Sequence, residues 1–163
     1  MRRSFLFAFR GVLACVRTER NFRIHLAASF YVLLASALAG LTANEWALVL
    51  ICIGAVTGAE LFNTALEKLC DTLHPGWSTG IGMVKDFTAA AVLMSAMTSA
   101  VIGGIIFFNN EKLTRVVSFV KDHVVLSILI FISLPLAVFL VFRRYGNDNK
   151  ISHDHDSRTS ERR

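Results

Sequence analysis

Proline is scarce in this sequence, and its few cysteines follow no disulfide or metal-binding motif. The chain has 163 residues but only two prolines, which leaves long stretches without the residue that most strongly interrupts a helix. The three cysteines form no C-x-x-C motif and no Cys/His spacing typical of a zinc site; they are Cys15, Cys52 and Cys70. Neither a disulfide framework nor a zinc site is therefore predicted, and we expect these cysteines to act as small hydrophobic side chains.

The usual nucleotide-binding motifs are also absent. The P-loop pattern G-x-x-x-x-G-K-[ST] fails at every glycine, and GIGMVK, residues 80–85, lacks the third glycine of G-x-G-x-x-G. We interpret the glycines of HPGWSTGIG as loop residues. No sequence motif therefore indicates a soluble nucleotide-binding domain.

Apolar residues, in contrast, are abundant. They make up 54% of the chain, and the mean hydropathy is +0.54, which is typical of a helical integral membrane protein. Crossing the hydrocarbon core takes roughly 20 apolar residues, and four runs approach that length: 25–41, 46–68, 87–108 and 124–142. The net charge is +5; with such long apolar runs, the expected counter-charge is an anionic lipid headgroup, and no nucleic-acid partner is predicted.

Lysine and arginine are distributed unevenly around these four runs. Six arginines precede the first run, six basic residues follow the last, and Lys68 and Lys85 flank the loop between the second and third. Three basic residues are left for the opposite side: Lys112, Arg115 and Lys121. The positive-inside rule then predicts a multi-pass protein with both termini in the cytoplasm.

The two ends of the chain differ in character from its middle. In SFLFAFRGVLACVRTERNFR, apolar residues at 5, 9, 12, 13 and 16 alternate with arginines, which predicts an amphipathic helix in the membrane interface over residues 1–24. Arg10 interrupts the apolar piece and no cleavage pattern follows, so we interpret this segment as mature protein. An external segment and a fourth membrane helix are predicted over 109–144, and residues 145–163 are predicted to be a disordered tail.

The second apolar run ends in a stripe of polar residues, ELFNTALEKLCD, residues 60–71. At 100° per residue, its polar side chains point within about 100° of one another; they are Glu60, Asn63, Thr64, Glu67 and Asp71. Carboxylates facing lipid would cost several kcal/mol, so the stripe is predicted to face protein or water, and an ionisable residue inside a span indicates function.

Two interpretations of the stripe remain open from physical chemistry alone. Its polar groups could join neighbouring helices, for example by pairing with Lys85 or Arg23, in a transporter, a proton relay or a membrane adaptor. Alternatively, a divalent cation could neutralise the carboxylates, because Glu19 and Asp86 are predicted at the same level and magnesium prefers carboxylate oxygens shared with phosphate. That second set of groups suits phosphoryl transfer at a membrane surface.

The same residues carry a resemblance to a known family. ELFNTALEKLCD resembles the E-x-x-N-[ST]-A-[IL]-E-x-x-x-D signature of the prokaryotic diacylglycerol kinases, and KDFTAAAVL resembles their K-D-x-x-[AS]-[AG]-A-V-L element. SFLFAFRG and RTERNFRIHL are similar to the family's opening and first acidic segment, so the resemblance covers residues 4–108. ERNFRIHL resembles the Gram-positive branch, which phosphorylates undecaprenol, more than the Gram-negative diacylglycerol kinases.

The resemblance implies a fold and an activity. The fold would be an all-α integral membrane protein of the bacterial plasma membrane, with a surface helix and a three-span kinase core over 25–108, assembled as a homotrimer. The activity would be transfer of the γ-phosphoryl group of ATP to a lipid alcohol, either undecaprenol or diacylglycerol. A fourth membrane helix would be an addition to this core.

It also implies roles for individual residues. Glu60 would be the catalytic base, and Asn63 would orient the reacting groups. Glu19 and Glu67 would bind the Mg²⁺ that accompanies ATP. The remaining nucleotide-site residues would be Arg10, Gly11, Asp71, Lys85 and Asp86.

Several positions depart from the family pattern. Phe7 and Ala8 stand where the Gram-negative branch has Tyr and Ser, and His25 replaces an acidic residue. Thr88 and Ala90 lie in an element that usually holds small residues, including a glycine. These departures affect individual contacts with the nucleotide, and the reaction class does not depend on them.

Overall fold

The computed structural model describes residues 2–76, 78–125, 127–137, 139 and 141, and over these residues the chain is helical with no strand. The main helices follow one another with short connections: α1 Arg2–Thr18, α2 Arg20–Ala39, α3 Ala43–Leu73, α4 Thr79–Phe107 and α5 Asn110–Asp122. The predicted all-α class is confirmed.

Three of these helices, α2, α3 and α4, are long and apolar enough to cross a membrane. A fourth span is counted if Asn110–Asp122 and Ser127–Ala137 form one broken span. Four membrane helices were predicted, and the described residues contain three, or four if the broken pair is counted as one span. Part of the fourth predicted run, 124–142, and all of the predicted tail, 145–163, lie outside the described residues.

The chain divides into two units, residues 1–122 and 123–163, and the first contains every residue discussed below. Within it, α3 packs most extensively against α4, α2 packs against α3 and α5, and α1 rests on α2 and α3. The α3–α4 connection is short, so these two helices run antiparallel. This arrangement brings the C-terminal half of α3 close to the start of α2 and to the start of α4.

The boundary between α1 and α2 lies at Glu19. This residue is the N-cap of α2 and has extended backbone angles, φ −104° and ψ 117°. The buried Arg23 donates from Nη1 to the carbonyl oxygens of Val16 and Arg17, at 3.1 and 3.2 Å, and so satisfies acceptors that the end of α1 leaves open. The first membrane helix thus begins earlier than the apolar run 25–41 indicates, because hydropathy detects the apolar stretch and not the helix that continues beyond it.

The connection between α2 and α3 is fixed by two caps. Gly40 ends α2 with φ 66°, a left-handed conformation that glycine adopts without a Cβ clash. Thr42 begins α3 with a capping box, in which its hydroxyl accepts from the Glu45 amide and the Glu45 carboxylate accepts from the Thr42 amide. We call this end of the helix bundle the turn end.

A small apolar core lies at the turn end. Its buried members come from α2, the turn, α3 and α4: Ala39, Leu41, Val49 and Ile106. Partly buried side chains pack against them, namely Leu33, Trp46, Ile53, Ile102, Phe107 and Val116. We call these ten residues the turn-end core. The opposite end of the bundle holds the polar stripe.

Candidate active site

The most buried carboxylate of the stripe is Glu60. It lies in the middle of α3, is 3% exposed, and its Oε1 lies 3.3 Å from Nε2 of His25 on α2. The two residues lie at nearly equal numbers of residues from the α2–α3 turn, which places them at the same depth. A buried carboxylate costs several kcal/mol unless it is paired, so the imidazole is what permits Glu60 to occupy this position.

One turn further along α3, the Asn63 amide is held at both of its ends. Its Nδ2 donates to Oε1 of Glu67 at 2.9 Å, and its Oδ1 accepts from the hydroxyl of Thr88 on α4 at 2.6 Å. Since the oxygen and the nitrogen of the amide have different partners, its orientation is defined. Asn63 thereby connects α4 to the carboxylate of Glu67.

The stripe becomes more exposed toward the end of α3. Glu60, Asn63 and Thr64 are buried, Glu67 is half-buried, and Asp71 is exposed. The predicted single polar face of α3 therefore runs from the interior of the bundle to its surface.

The surface helix α1 reaches this stripe through two contacts. Sγ of Cys15 lies 3.5 Å from the hydroxyl of Thr64, and Cys15 is 3% exposed. Burial raises the pKa of the Cys15 thiol, so the thiol stays protonated near neutral pH. The helix α1 thus covers the stripe one turn from Glu60.

The second contact brings Glu19 to α3. The ammonium of Lys68 lies 3.5 Å from Oε1 of Glu19 and donates to the hydroxyl of Thr18 at 3.1 Å. That hydroxyl in turn donates to the Glu19 carboxylate at 3.0 Å. Lys68 therefore fixes the junction of α1 and α2 against the last turns of α3.

These contacts concentrate negative charge around Glu60. Both Glu67 and Glu19 lie close enough to Glu60 to repel it electrostatically. No group of three or more His, Cys, Asp or Glu side chains converges as metal ligands in the described part of the chain. Magnesium, however, is commonly held by one or two carboxylates together with substrate phosphates, so the donor set of Glu19 and Glu67 fits that ion when a nucleotide supplies the remaining oxygens.

An exposed ion pair lies beyond Glu67. Nζ of Lys85, in the first turns of α4, lies 2.5 Å from Oδ1 of Asp71. The pair is open to solvent on the Asp71 side, where the side chain is 66% exposed. An incoming phosphate would compete with Asp71 for the same ammonium group.

The other residues expected at the nucleotide site are not joined to this network. Arg10 and Gly11 lie on the exposed face of α1, and Asp86 is exposed beside Lys85 on α4. Within the described residues, Arg10 and Asp86 make no side-chain hydrogen bond or ion pair. Their positions leave them accessible to a ligand or to another protein chain.

An apolar cavity of about 260 Å³ begins beside the Glu60–His25 pair. His25 lines one end of it and Phe107 the other, between helices α2, α3 and α4. The walls include small side chains, among them Ala28, Ala96, Ala100 and Gly103. Hydrocarbon suits this space, because most of the lining is apolar and its two serines donate to carbonyls of their own helices.

Sequence reasoning did not name three polar residues of the site among its functional residues: His25 and Thr88 were noted only as departures from the family pattern, and Lys68 only as a basic residue that flanks a loop. Helix depth offers a signal for two of them. His25 and Glu60 are nearly equally far along their helices from the α2–α3 turn, and Asn63 and Thr88 are nearly equally far from the α3–α4 connection, so each pair lies at a similar level. For Lys68 no such count exists, since its partner belongs to the α1–α2 junction.

Comparison with known proteins gives concordant matches. The sequence model of the prokaryotic diacylglycerol kinase family matches residues 6–107, a range that includes the whole network around Glu60. The undecaprenol kinase of Bacillus subtilis is 38% identical over 105 residues, which cover 64% of this chain and 85% of that protein. The diacylglycerol kinase of Synechocystis sp. is 36% identical over 102 residues, which cover 62% of this chain and 58% of that protein. No solved structure matches the chain.

Proposed function

Because the chain belongs to the prokaryotic diacylglycerol kinase family, as ELFNTALEKLCD predicted, and is an ATP-dependent membrane lipid kinase, we propose that its acceptor is undecaprenol and its product undecaprenyl phosphate. The match to the Bacillus subtilis undecaprenol kinase spans most of that protein, whereas the match to the cyanobacterial diacylglycerol kinase spans little more than half. Diacylglycerol is the second candidate acceptor.

The observation that carries this proposal is the position of Glu60. Its buried carboxylate contacts His25, and His25 lines the apolar cavity, so a lipid whose chain occupies the cavity would have its hydroxyl near this carboxylate. A single-chain prenol fits one apolar cavity without leaving a second chain to accommodate. The apolar lining and the carboxylate together meet the two needs of a lipid alcohol.

In the proposed reaction, Glu60 accepts the proton of the lipid hydroxyl while that oxygen attacks the γ-phosphorus of ATP. The bond between the γ-phosphorus and the bridging oxygen breaks, and ADP leaves with the electron pair. Asn63 orients the reacting groups from its fixed position between Thr88 and Glu67. Phosphoryl transfer of this kind depends mainly on positioning and charge neutralisation.

The nucleotide would bind on the exposed side of the stripe. Glu19 and Glu67 would hold Mg²⁺, which supplies positive charge to the phosphate oxygens. Lys85 would exchange Asp71 for phosphate, and Asp71, Asp86, Arg10 and Gly11 would complete the nucleotide site. The exposure of Arg10 and Asp86 is consistent with sites completed by a second subunit of a homotrimer.

The distribution of lysine and arginine supports one orientation of this site in the bacterial plasma membrane. With both termini in the cytoplasm, the carboxylate end of the bundle faces cytoplasmic ATP and the turn end lies on the opposite side. Cysteine labelling of intact cells with a membrane-impermeant reagent tests this: a cysteine at exposed Asn109 should react and a cysteine at exposed Thr72 should not.

The acceptor is tested by phosphate transfer from labelled ATP in mixed micelles that contain undecaprenol or diacylglycerol at equal mole fraction. We expect faster transfer to undecaprenol. Preferential labelling of diacylglycerol would overturn the proposed acceptor while leaving the family assignment intact.

The metal and nucleotide are tested by thermal unfolding in detergent. Magnesium with a non-hydrolysable ATP analogue should raise the Tm, because a ligand that binds only the native state stabilises it by mass action. The analogue without magnesium should raise the Tm less, and the Glu67→Gln variant should lose most of the difference. Equal stabilisation with and without magnesium would contradict the proposed metal role of Glu19 and Glu67.

A further inference from the structure

The helix α5 lies outside the range that matches the family, 6–107, and yet it is attached to the turn end of the bundle. Lys112 forms an ion pair with Glu45 of the α3 capping box, and their side chains are only 13% and 24% exposed. The same ammonium donates to the carbonyl oxygen of Ile106 at 3.3 Å. Lys112 thereby ties α5 to the first turn of α3 and to the last turn of α4.

A second contact places α5 over the α2–α3 turn. The guanidinium of Arg115 lies directly against Gly40, in the space that a Cβ would occupy. The next residue, Val116, packs against the turn-end core. The helix α5 is therefore held against the turn end by three side chains: Lys112, Arg115 and Val116.

The turn-end core and the apolar cavity share residues. Val49, Ile53, Ile102 and Phe107 line the cavity and also belong to the core. The core therefore lies at the end of the cavity that is farthest from His25. Phe107 is the last residue of α4 and directly follows Ile106, whose carbonyl Lys112 holds.

From these contacts we infer that α5 closes the turn end of the cavity and that Phe107 forms this closed end, which we call the floor. The enzyme consequently recognises only the hydroxyl-proximal part of its acceptor chain. This inference rests on the proposed prenol acceptor and deepens it. Phe107 is the specificity-determining residue, and Lys112 is a positioning residue that keeps the floor in place.

The dimensions agree with partial recognition. On α4 the lining runs from Ala96 to Phe107, which is about 17 Å of helix, whereas the hydrocarbon core of a bilayer is about 30 Å thick. A cavity closed at this depth holds the first isoprene units of a long prenol. The remaining units must leave between the helices into lipid, where they contribute little to discrimination.

A purely structural α5 would behave differently. If α5 only stabilised the bundle, weakening it would lower the Tm and the activity toward every prenol by the same factor. A floor, in contrast, changes the relative kcat/KM values of prenols that are short enough to end above Phe107 and prenols that are long enough to extend beyond it. The ratio of kcat/KM values for two short prenols therefore separates the two roles.

The test compares farnesol, geranylgeraniol and undecaprenol as acceptors in mixed micelles, with the full chain and saturating magnesium and ATP. The wild-type protein should phosphorylate geranylgeraniol and undecaprenol with kcat/KM values within about tenfold of each other, the range of small chain differences in an apolar pocket. Phe107→Ala should raise the geranylgeraniol-to-farnesol ratio by about tenfold. Phe108→Ala is the matched control, since Phe108 is 83% exposed and does not line the cavity.

Lys112→Met should change the same ratio in the same direction but less, because it loosens the floor without removing it. Lys121→Met, an exposed lysine of the same helix, should leave the ratio unchanged. If Phe107→Ala does not fold, Phe107→Leu replaces it and should show a smaller shift of the same sign.

The outcomes separate the inference from the proposed function. An unchanged ratio in the Phe107 variants, or wild-type activity on undecaprenol with none on geranylgeraniol, would overturn the floor while leaving the undecaprenol kinase intact. Wild-type activity on diacylglycerol but on no prenol would overturn the proposed acceptor, and the inference with it.

Discussion

Nε2 of His25 lies 3.3 Å from Oε1 of Glu60, where the apolar cavity begins. This contact joins α2 to α3 and gives a nearly inaccessible carboxylate a polar partner. If Glu60 is the base, as proposed, its burial protects it from bulk water. His25 stands where the family pattern has an acidic residue. This departure from the pattern therefore directly contacts Glu60, the residue on which turnover is proposed to depend.

The first prediction concerns Glu60→Gln, which keeps the shape of the side chain and removes the base. We expect kcat to fall by about 10²-fold or more, as for the loss of a general base, with little change in the Tm. Phosphate transfer and thermal unfolding of the same preparation check both parts. Glu111→Gln, at an exposed position of α5, is the control; near-normal activity of Glu60→Gln would show that another group accepts the proton.

The second prediction concerns the hydrogen bond from Thr88 to Asn63. Thr88→Val removes the donor and leaves Oδ1 of Asn63 without that partner, so the amide can rotate and release Glu67. We expect kcat to fall about tenfold, which corresponds to roughly 1.4 kcal/mol and lies in the range for a lost buried hydrogen bond.

Thr88→Ser supplies the matched comparison, because it keeps the hydroxyl and removes only a methyl group. It should restore most of the activity lost in Thr88→Val. Equal loss in the two variants would indicate that the methyl packing of Thr88, and not its hydroxyl, supports the site.

The third prediction concerns Gly40, whose φ of 66° lies in the left-handed region. Gly40→Ala should destabilise the protein by about 1–2 kcal/mol, the cost of a Cβ in this conformation, and would also displace the guanidinium of Arg115. The Tm in detergent measures this. Gly54→Ala is the control, since a Cβ there meets no atom within 4 Å and should be neutral or slightly stabilising; equal Tm values for both variants would contradict the role of Gly40.

Local periodicity predicted the parts of this molecule that depend on one helix at a time. The burial of Glu60, Asn63 and Thr64 on one face of α3 follows from a repeat of 3.6 residues, and apolar run lengths predicted the spans. Contacts between elements were largely beyond that reasoning. Pairing of the stripe with Lys85 was one of two open interpretations, and Lys85 does pair with Asp71, while its contact with phosphate stays a prediction. Lys68 was not expected to hold Glu19. The sequence predicted an external segment at residues 109–123, because this stretch is too polar for a membrane span. Where the helix α5 lies became clear only from its contacts with Glu45 and Gly40.

The final prediction tests whether α1 covers the site in solution, using the thiol of Cys15. Burial against Thr64 and the raised pKa of the thiol both reduce the fraction of reactive thiolate. In a variant that retains only Cys15, alkylation by N-ethylmaleimide at pH 7 should be much slower than in a variant that retains only Cys70, which is half-buried. Because the pKa is raised, the Cys15 rate should still be rising at a pH where an ordinary cysteine has levelled off.

A variant of Arg23 tests whether the slow labelling of Cys15 comes from the packing of α1 against the bundle. Arg23→Met removes both hydrogen bonds to the carbonyl oxygens at the end of α1 and should accelerate Cys15 labelling by about tenfold, the effect of roughly 1.4 kcal/mol, while Cys70 labelling stays the same. Equal rates for Cys15 and Cys70 in the parent protein would mean that α1 does not rest on Thr64. A Cys15 rate unaffected by Arg23→Met would mean that Arg23 does not hold α1 in place, and that the apolar contacts of α1 with α2 and α3 keep the site covered.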